Sequence, residues 1–121
     1  MLRQIRIEDL SSPCVMRSRG REAAHKVEEC LGTTEHIEID LTSVEIVSMS
    51  FLDELIYRLY ESTNLDKVIF RVYDAAIKDK LERITQIRSV RIRYRSGEEG
   101  VSIVTPRSPI LHKATLAITK T

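Results

Sequence analysis

Tryptophan is absent from this chain, and cysteine occurs only twice, as Cys14 and Cys30 with no CxxC spacing. Two isolated thiols exclude a disulfide scaffold and the paired-cysteine pattern of a zinc site. Both are expected as small buried apolar residues, left as thiols in a reducing compartment. Long hydrophobic runs are missing as well, and the start Met1-Leu2-Arg3-Gln4-Ile5-Arg6 lacks the charged-then-apolar order of a secretory signal, so a cytoplasmic protein with no membrane contact is expected. Neither sign of charge is in excess: 19 basic residues against 18 acidic leave +1, which gives no overall pull toward nucleic acid or anionic lipid.

The usual phosphate-cradling loops (GxGxxG, GxxxxGK[ST]) and the GxSxG nucleophile elbow do not occur. His25, His36 and His112 are scattered without ligand-like neighbours, so neither a metal nor a cofactor is expected. No nucleophile and base can be paired from the sequence, which argues against an enzyme.

What is present suits one core. A chain of 121 residues with 42% hydrophobic content reads as a single domain over 1–121, with its core in about 1–95 and strands and a tail in 96–121. Ile5 and Ile7 at period two suggest a strand over 2–7, closed by Ser11-Ser12-Pro13, and Cys14-Val15-Met16 a short second strand. Ala23, Ala24, Val27, Cys30 and Leu31 have helical spacing, with Ser18 as cap and Gly32 as stop. Ile37, Ile39 and Leu41 alternate with polar residues as a strand should. Leu52, Leu55, Ile56 and Leu59 form the apolar stripe of a helix over 50–62, which Ser50 would cap, with Asp53 at capping-box spacing.

Val68-Ile69-Phe70 reads as a central strand buried on both faces. Asp74 caps a third helix with the stripe Ile77, Leu81, Ile84 and the stem of Arg88. Segments 90–95 and 101–105 read as a hairpin, and Thr115-Leu116-Ala117-Ile118 as a closing strand in an ambiguous tail. Helices between successive strands argue for an α/β fold: a mixed sheet with helices packed mainly on one face and a C-terminal hairpin extension.

Two patterns carry charge. Glu38 with Asp40, and Asp53 with Glu54, are carboxylate pairs expected to be solvated. Arg91, Arg93 and Arg95 alternate with Val90, Ile92 and Tyr94, so a strand would set all three guanidinium groups on one face, a candidate site for phosphates. Tyr57 and Tyr60 flank the apolar stripe of the second helix.

The run Ile37-Glu38-Ile39-Asp40-Leu41-Thr42-Ser43-Val44-Glu45-Ile46-Val47-Ser48-Met49-Ser50-Phe51-Leu52-Asp53-Glu54-Leu55 resembles the STAS-like family, in which a strand ending in aspartate and a short apolar turn lead into a helix starting Ser-Phe-Leu-Asp-Glu-Leu. Ser18-Arg19-Gly20 is similar to the start of that family's first helix. The family is similar in turn to the STAS domains of bacterial anti-sigma factor antagonists, which dock on an ATP-binding serine kinase related to histidine-kinase ATPases. In those antagonists the turn is Asp-Ser-Ser-Gly, and its first serine is phosphorylated. Gapless matching sets Ser48 at the Asp, Met49 at the phosphorylated serine, Ser50 at the second serine and Phe51 at the glycine.

The resemblance therefore implies a non-enzymatic regulatory module. Its expected working residues are Ser48, Met49, Ser50, Phe51 and Asp53, with an ATP-binding protein as partner, and a homodimer is compatible with it. Unpaired N–H groups at a helix start favour negative charge there, so phosphate on Ser48 or Ser50 would be tolerated. The competing expectation is a nucleic-acid-linked or phosphate-binding factor using the arginine stripe.

Overall fold

The computed structural model describes residues 2–97 and 100–106. In chain order the elements are β1 (Leu2–Arg6), α1 (Ile7–Leu10), α2 (Arg17–Leu31), β2 (His36–Asp40), α3 (Met49–Glu61), a 3-10 turn at Leu65–Lys67, β3 (Val68–Val72), α4 (Ala75–Arg88), β4 (Ile92–Ser96) and β5 (Ser102–Val104). The segment 115–118, read above as a closing strand, lies outside the described residues.

The sheet has the order β1-β2-β3-β4-β5, with the first four strands parallel and β5 antiparallel to β4. Each new parallel strand is added on the same side of the last. Crossovers of one hand must then all return over the same face, so the helices share it. Register sets Ile5, Ile37, Ile39, Val68, Phe70, Val72 and Ile92 on that face, where they join Phe51, Leu52, Leu55, Ile56, Leu59, Leu81 and Ile84 in the core.

The opposite face is polar. Gln4, Glu38, Ile69, Arg93 and Ile103 are in register across it, followed by a second row of Arg6, Asp40, Arg71 and Arg95. The Val68–Phe70 run is accordingly buried on one face only: Val68 and Phe70 are buried, while Ile69 between them is half-buried.

Three further expectations are corrected. Cys14–Met16 is a turn and forms no strand, because the Cys14 carbonyl bonds to the Ser48 N–H at 2.8 Å in place of a sheet neighbour. Helix α2 starts at Arg17 with Met16 as its cap residue, whose carbonyl accepts from the N–H groups of Arg19 and Gly20; Ser18 therefore lies inside the helix. Cys14 is buried as expected, but Cys30 is only half-buried, within 3.6 Å of an Arg3 guanidinium nitrogen.

Candidate functional site

All of the parallel strands point their carboxyl ends at the N-termini of α2, α3 and α4, and the turn Val47–Phe51 lies at that edge. In open α/β sheets ligands bind outside the carboxyl ends of the strands, at a switch in strand order that the sequential order β1-β2-β3-β4 lacks. The turn is held from two sides. Ser48 N–H donates to the Cys14 carbonyl at 2.8 Å, and Lys80 Nζ of α4 donates to the Val47 carbonyl at 2.7 Å. Residues from three crossover segments thus meet at one point.

Ser48, not Ser50, caps α3. Its Oγ accepts from the Phe51 N–H at 3.1 Å and its carbonyl from the Leu52 N–H at 3.1 Å, with extended backbone at φ −83°. The helix starts earlier than the apolar stripe suggested, because Val47 is itself buried and the chain must turn immediately after it. Ser50 is the second helical residue, and its Oγ sits 3.3 Å from that of Ser48. Met49 is half-buried, and Phe51 is fully buried beneath the turn.

Asp53 and Glu54 are not solvated: both are nearly covered, on the first turns of α3. Arg88 grips Asp53 with two donors, Nε at 2.9 Å and Nη2 at 2.8 Å, and Arg17 adds Nη1 at 2.8 Å. Glu54 accepts from Arg58 Nε at 2.7 Å and has Arg17 and Arg21 nitrogens at 3.6 Å and 3.7 Å. Arg88 also lies over the Tyr57 ring at 4.2 Å, a cation–π contact. Arginine suits this role because its planar fork matches a carboxylate bidentately. Its stem was expected to extend the apolar stripe of α4; the guanidinium instead ties α4 to α3.

The hydrogen bond from Arg88 is the largest influence on Asp53 and holds its carboxyl below the usual range, against burial, with Arg17 adding to the effect. Arg58 does the same for Glu54. A carboxylate with a depressed folded pKa stabilises the fold above its unfolded pKa, near 3.9 for aspartate, and loses that contribution as pH falls through the folded value. Asp53→Asn should therefore cost about 1 to 3 kcal/mol at pH 7, the worth of hydrogen bonds to a charged group. Denaturant melts at pH 7 and pH 2 should show the gap to wild type closing below about pH 4. A gap of equal size at both pH values would mean that the charge on Asp53 contributes nothing.

Glu38 is buried on the polar face of the sheet, where Gln4 Nε2 donates to it at 2.8 Å and Arg95 forms an ion pair with it. The expected three-arginine stripe is accordingly broken up. Arg91 precedes β4 and lines a cleft with Tyr60, Asp66 and Ser89; Arg93 stands on the polar face, and Arg95 reaches back across β3 to Glu38 on β2. Asp40 is half-buried and accepts from the N–H and Oγ1 of Thr42, closing a turn after β2. No sequence signal marked Glu38 or Asp53 as buried, because their partners lie dozens of residues away; Glu54 has Arg58 only four residues on, an i,i+4 spacing that is as common on exposed helix faces.

Burial pushes the Cys14 thiol up, which makes it a poor nucleophile. Among the described residues no group of three or more His, Cys, Asp or Glu side chains could hold a metal ion, and no helix is long and apolar enough to cross a membrane.

A mixed five-stranded sheet with helices on one face, and a serine-capped helix rising from the turn after the second strand, define a STAS-like α/β protein by class. By comparison, residues 20–78 match the model described as a STAS-like domain of unknown function (DUF4325). The match runs from Gly20 in α2 into the first turn of α4 and so includes the turn, the cap and both α3 carboxylates. No curated protein matches the chain. No solved structure matches it either.

Proposed function

We propose that this chain is a non-enzymatic regulatory module that docks a protein partner through the turn Val47–Phe51 and the adjoining loop Cys14–Met16. The observation that carries this reading is the rim of solvated apolar side chains on a rigid turn. Val15, Met16 and Ile46 are exposed, Ile46 by 69%, on either side of the hydrogen bond that joins Cys14 to Ser48. Apolar side chains held in water by fixed backbone gain free energy when a partner covers them, and little ordering entropy is then lost.

The likeness to anti-sigma factor antagonists favours an ATP-binding partner of the histidine-kinase ATPase class, with Ser48 and Ser50 as the regulatory serines. The alternative, phosphate or nucleic-acid binding by the arginine stripe, loses support because Arg95 is engaged by Glu38 and Arg91 stands outside the strand.

Three substitutions test the reading. Ser48→Ala should cost about 0.5 to 2 kcal/mol, the loss of a cap, whereas Ser50→Asp and Ser50→Asn should leave stability nearly unchanged, since negative charge suits a helix start. Affinity for a co-purifying ATPase, measured by titration, should fall about tenfold or more with Ser50→Asp and little with Ser50→Asn, because a buried unpaired carboxylate costs more than an amide. Affinity that follows stability through all three variants would leave the serines as structural residues and overturn the proposal.

A further inference from the structure

Four guanidinium groups from three helices converge on the two α3 carboxylates, a surplus of two positive charges that Glu61, beside Tyr57 and Arg58, lowers by one. The carboxylates are nearly covered, but the arginines are not. Side-chain exposure is 52% for Arg17, 60% for Arg21 and 44% for Arg58. Each guanidinium is already oriented by its ion pair, so a second acceptor on the solvent side would meet donors with part of their rotamer freedom removed. Arg17 follows Met16 directly, and α2 and α3 touch where Gly20 approaches the Phe51 carbonyl, so this basic surface is continuous with the apolar rim of the turn.

From this arrangement we infer that the Arg17, Arg21 and Arg58 surface binds an acidic protein segment, whose Asp and Glu side chains pair with the outer donors while its apolar residues cover Met16. The inference rests on the interaction reading above and names the chemistry of the partner. A protein segment fits better than a nucleic acid for two reasons. Met16 offers apolar contact where a phosphate backbone has none. Asp53 and Glu54 beneath the arginines repel a dense row of phosphates, spaced about 1.7 Å per charge along duplex DNA, more than they repel sparse carboxylates.

The experiment uses the full chain and three probes: a labelled peptide of alternating Glu and Leu, the same peptide with Gln for Glu, and a short DNA duplex. Fluorescence anisotropy at low salt should show binding of the Glu peptide that weakens with added salt, and at least about fivefold weaker binding of the Gln peptide. Arg21→Gln combined with Arg58→Gln should lose about tenfold in affinity for the Glu peptide, while Arg83→Gln, exposed on α4 outside this surface, should change it less than about twofold. Because the double variant leaves Glu54 short of partners, the triple variant that adds Glu54→Gln is measured beside it and should lose the peptide equally while melting no lower than the double variant and keeping a cooperative transition. Tighter binding of the duplex than of the Glu peptide, equal affinity for both peptides, or an equal loss with Arg83→Gln would each overturn the inference. Backbone amide shifts separate the two readings: peptide binding that perturbs residues 17–21 and 54–58 and survives Ser50→Asp upholds this surface even if the turn is not used. Perturbation confined to 46–51 upholds the turn and rejects the arginines.

Discussion

Gly20→Ala is expected to destabilise the protein by about 1 to 3 kcal/mol, the usual cost of forcing atoms into a filled interface. The sign is the informative part, because the same exchange within an exposed helix gains roughly 0.5 to 1 kcal/mol from the restricted unfolded chain and better helix propensity. Gly20 is buried in the first turns of α2, where a Cβ would come within 2.4 Å of the Phe51 carbonyl oxygen and 3.1 Å of the Glu54 Cβ. A backbone carbonyl cannot swing aside as a side-chain tip can, so α2 and α3 would have to separate. That separation would stretch the Arg17 and Arg21 contacts to α3 and expose Phe51. Gly20→Val should cost more than Gly20→Ala, and urea titration of both would show it. Wild-type stability in Gly20→Ala would mean that the two helices do not meet at this distance.

Leu55→Ala should lower stability by about 2 to 5 kcal/mol, the transfer and cavity cost of a truncated core leucine, while Glu61→Ala should stay within about 0.5 kcal/mol. Leu55 is completely buried in the core, and Glu61 is exposed in the last turn of the same helix. The contrast tests the orientation of α3 about its axis. If both substitutions had small effects, the stripe Leu52, Leu55, Ile56 and Leu59 would not be the buried face.

Much of this fold could be read from local patterns, and the reason is that those patterns are short-range. The alternation of Ile37, Ile39 and Leu41 and the helical spacing of Leu52, Leu55, Ile56 and Leu59 depend only on backbone periods of two and 3.6 residues, and all of these residues are buried in the structure. Asp74 as the cap of α4 is a contact of two residues' separation, its Oδ1 accepting from the Ala76 N–H at 2.8 Å. The resemblance at 37–55 also fell within the part of the chain that matches the STAS-like family.

What remained hidden depends on register between distant segments. Whether Ser48 or Ser50 caps α3 was decided by the burial of Val47 and by the bond from Ser48 to Cys14 in another loop. Arg91, Arg93 and Arg95 formed a uniform stripe in the sequence, but only the parallel pairing of β2, β3 and β4 brings Arg95 to Glu38 and neutralises it. Asp53 read as an ordinary surface acid because nothing in its neighbourhood announces Arg17 or Arg88, each at least thirty-five residues away. The sequence by itself determined which faces are apolar, since transfer of apolar surface from water is a property of each side chain. Only the tertiary structure decided which charges are buried, since a carboxylate can leave water only where its partners have already been brought within hydrogen-bond reach.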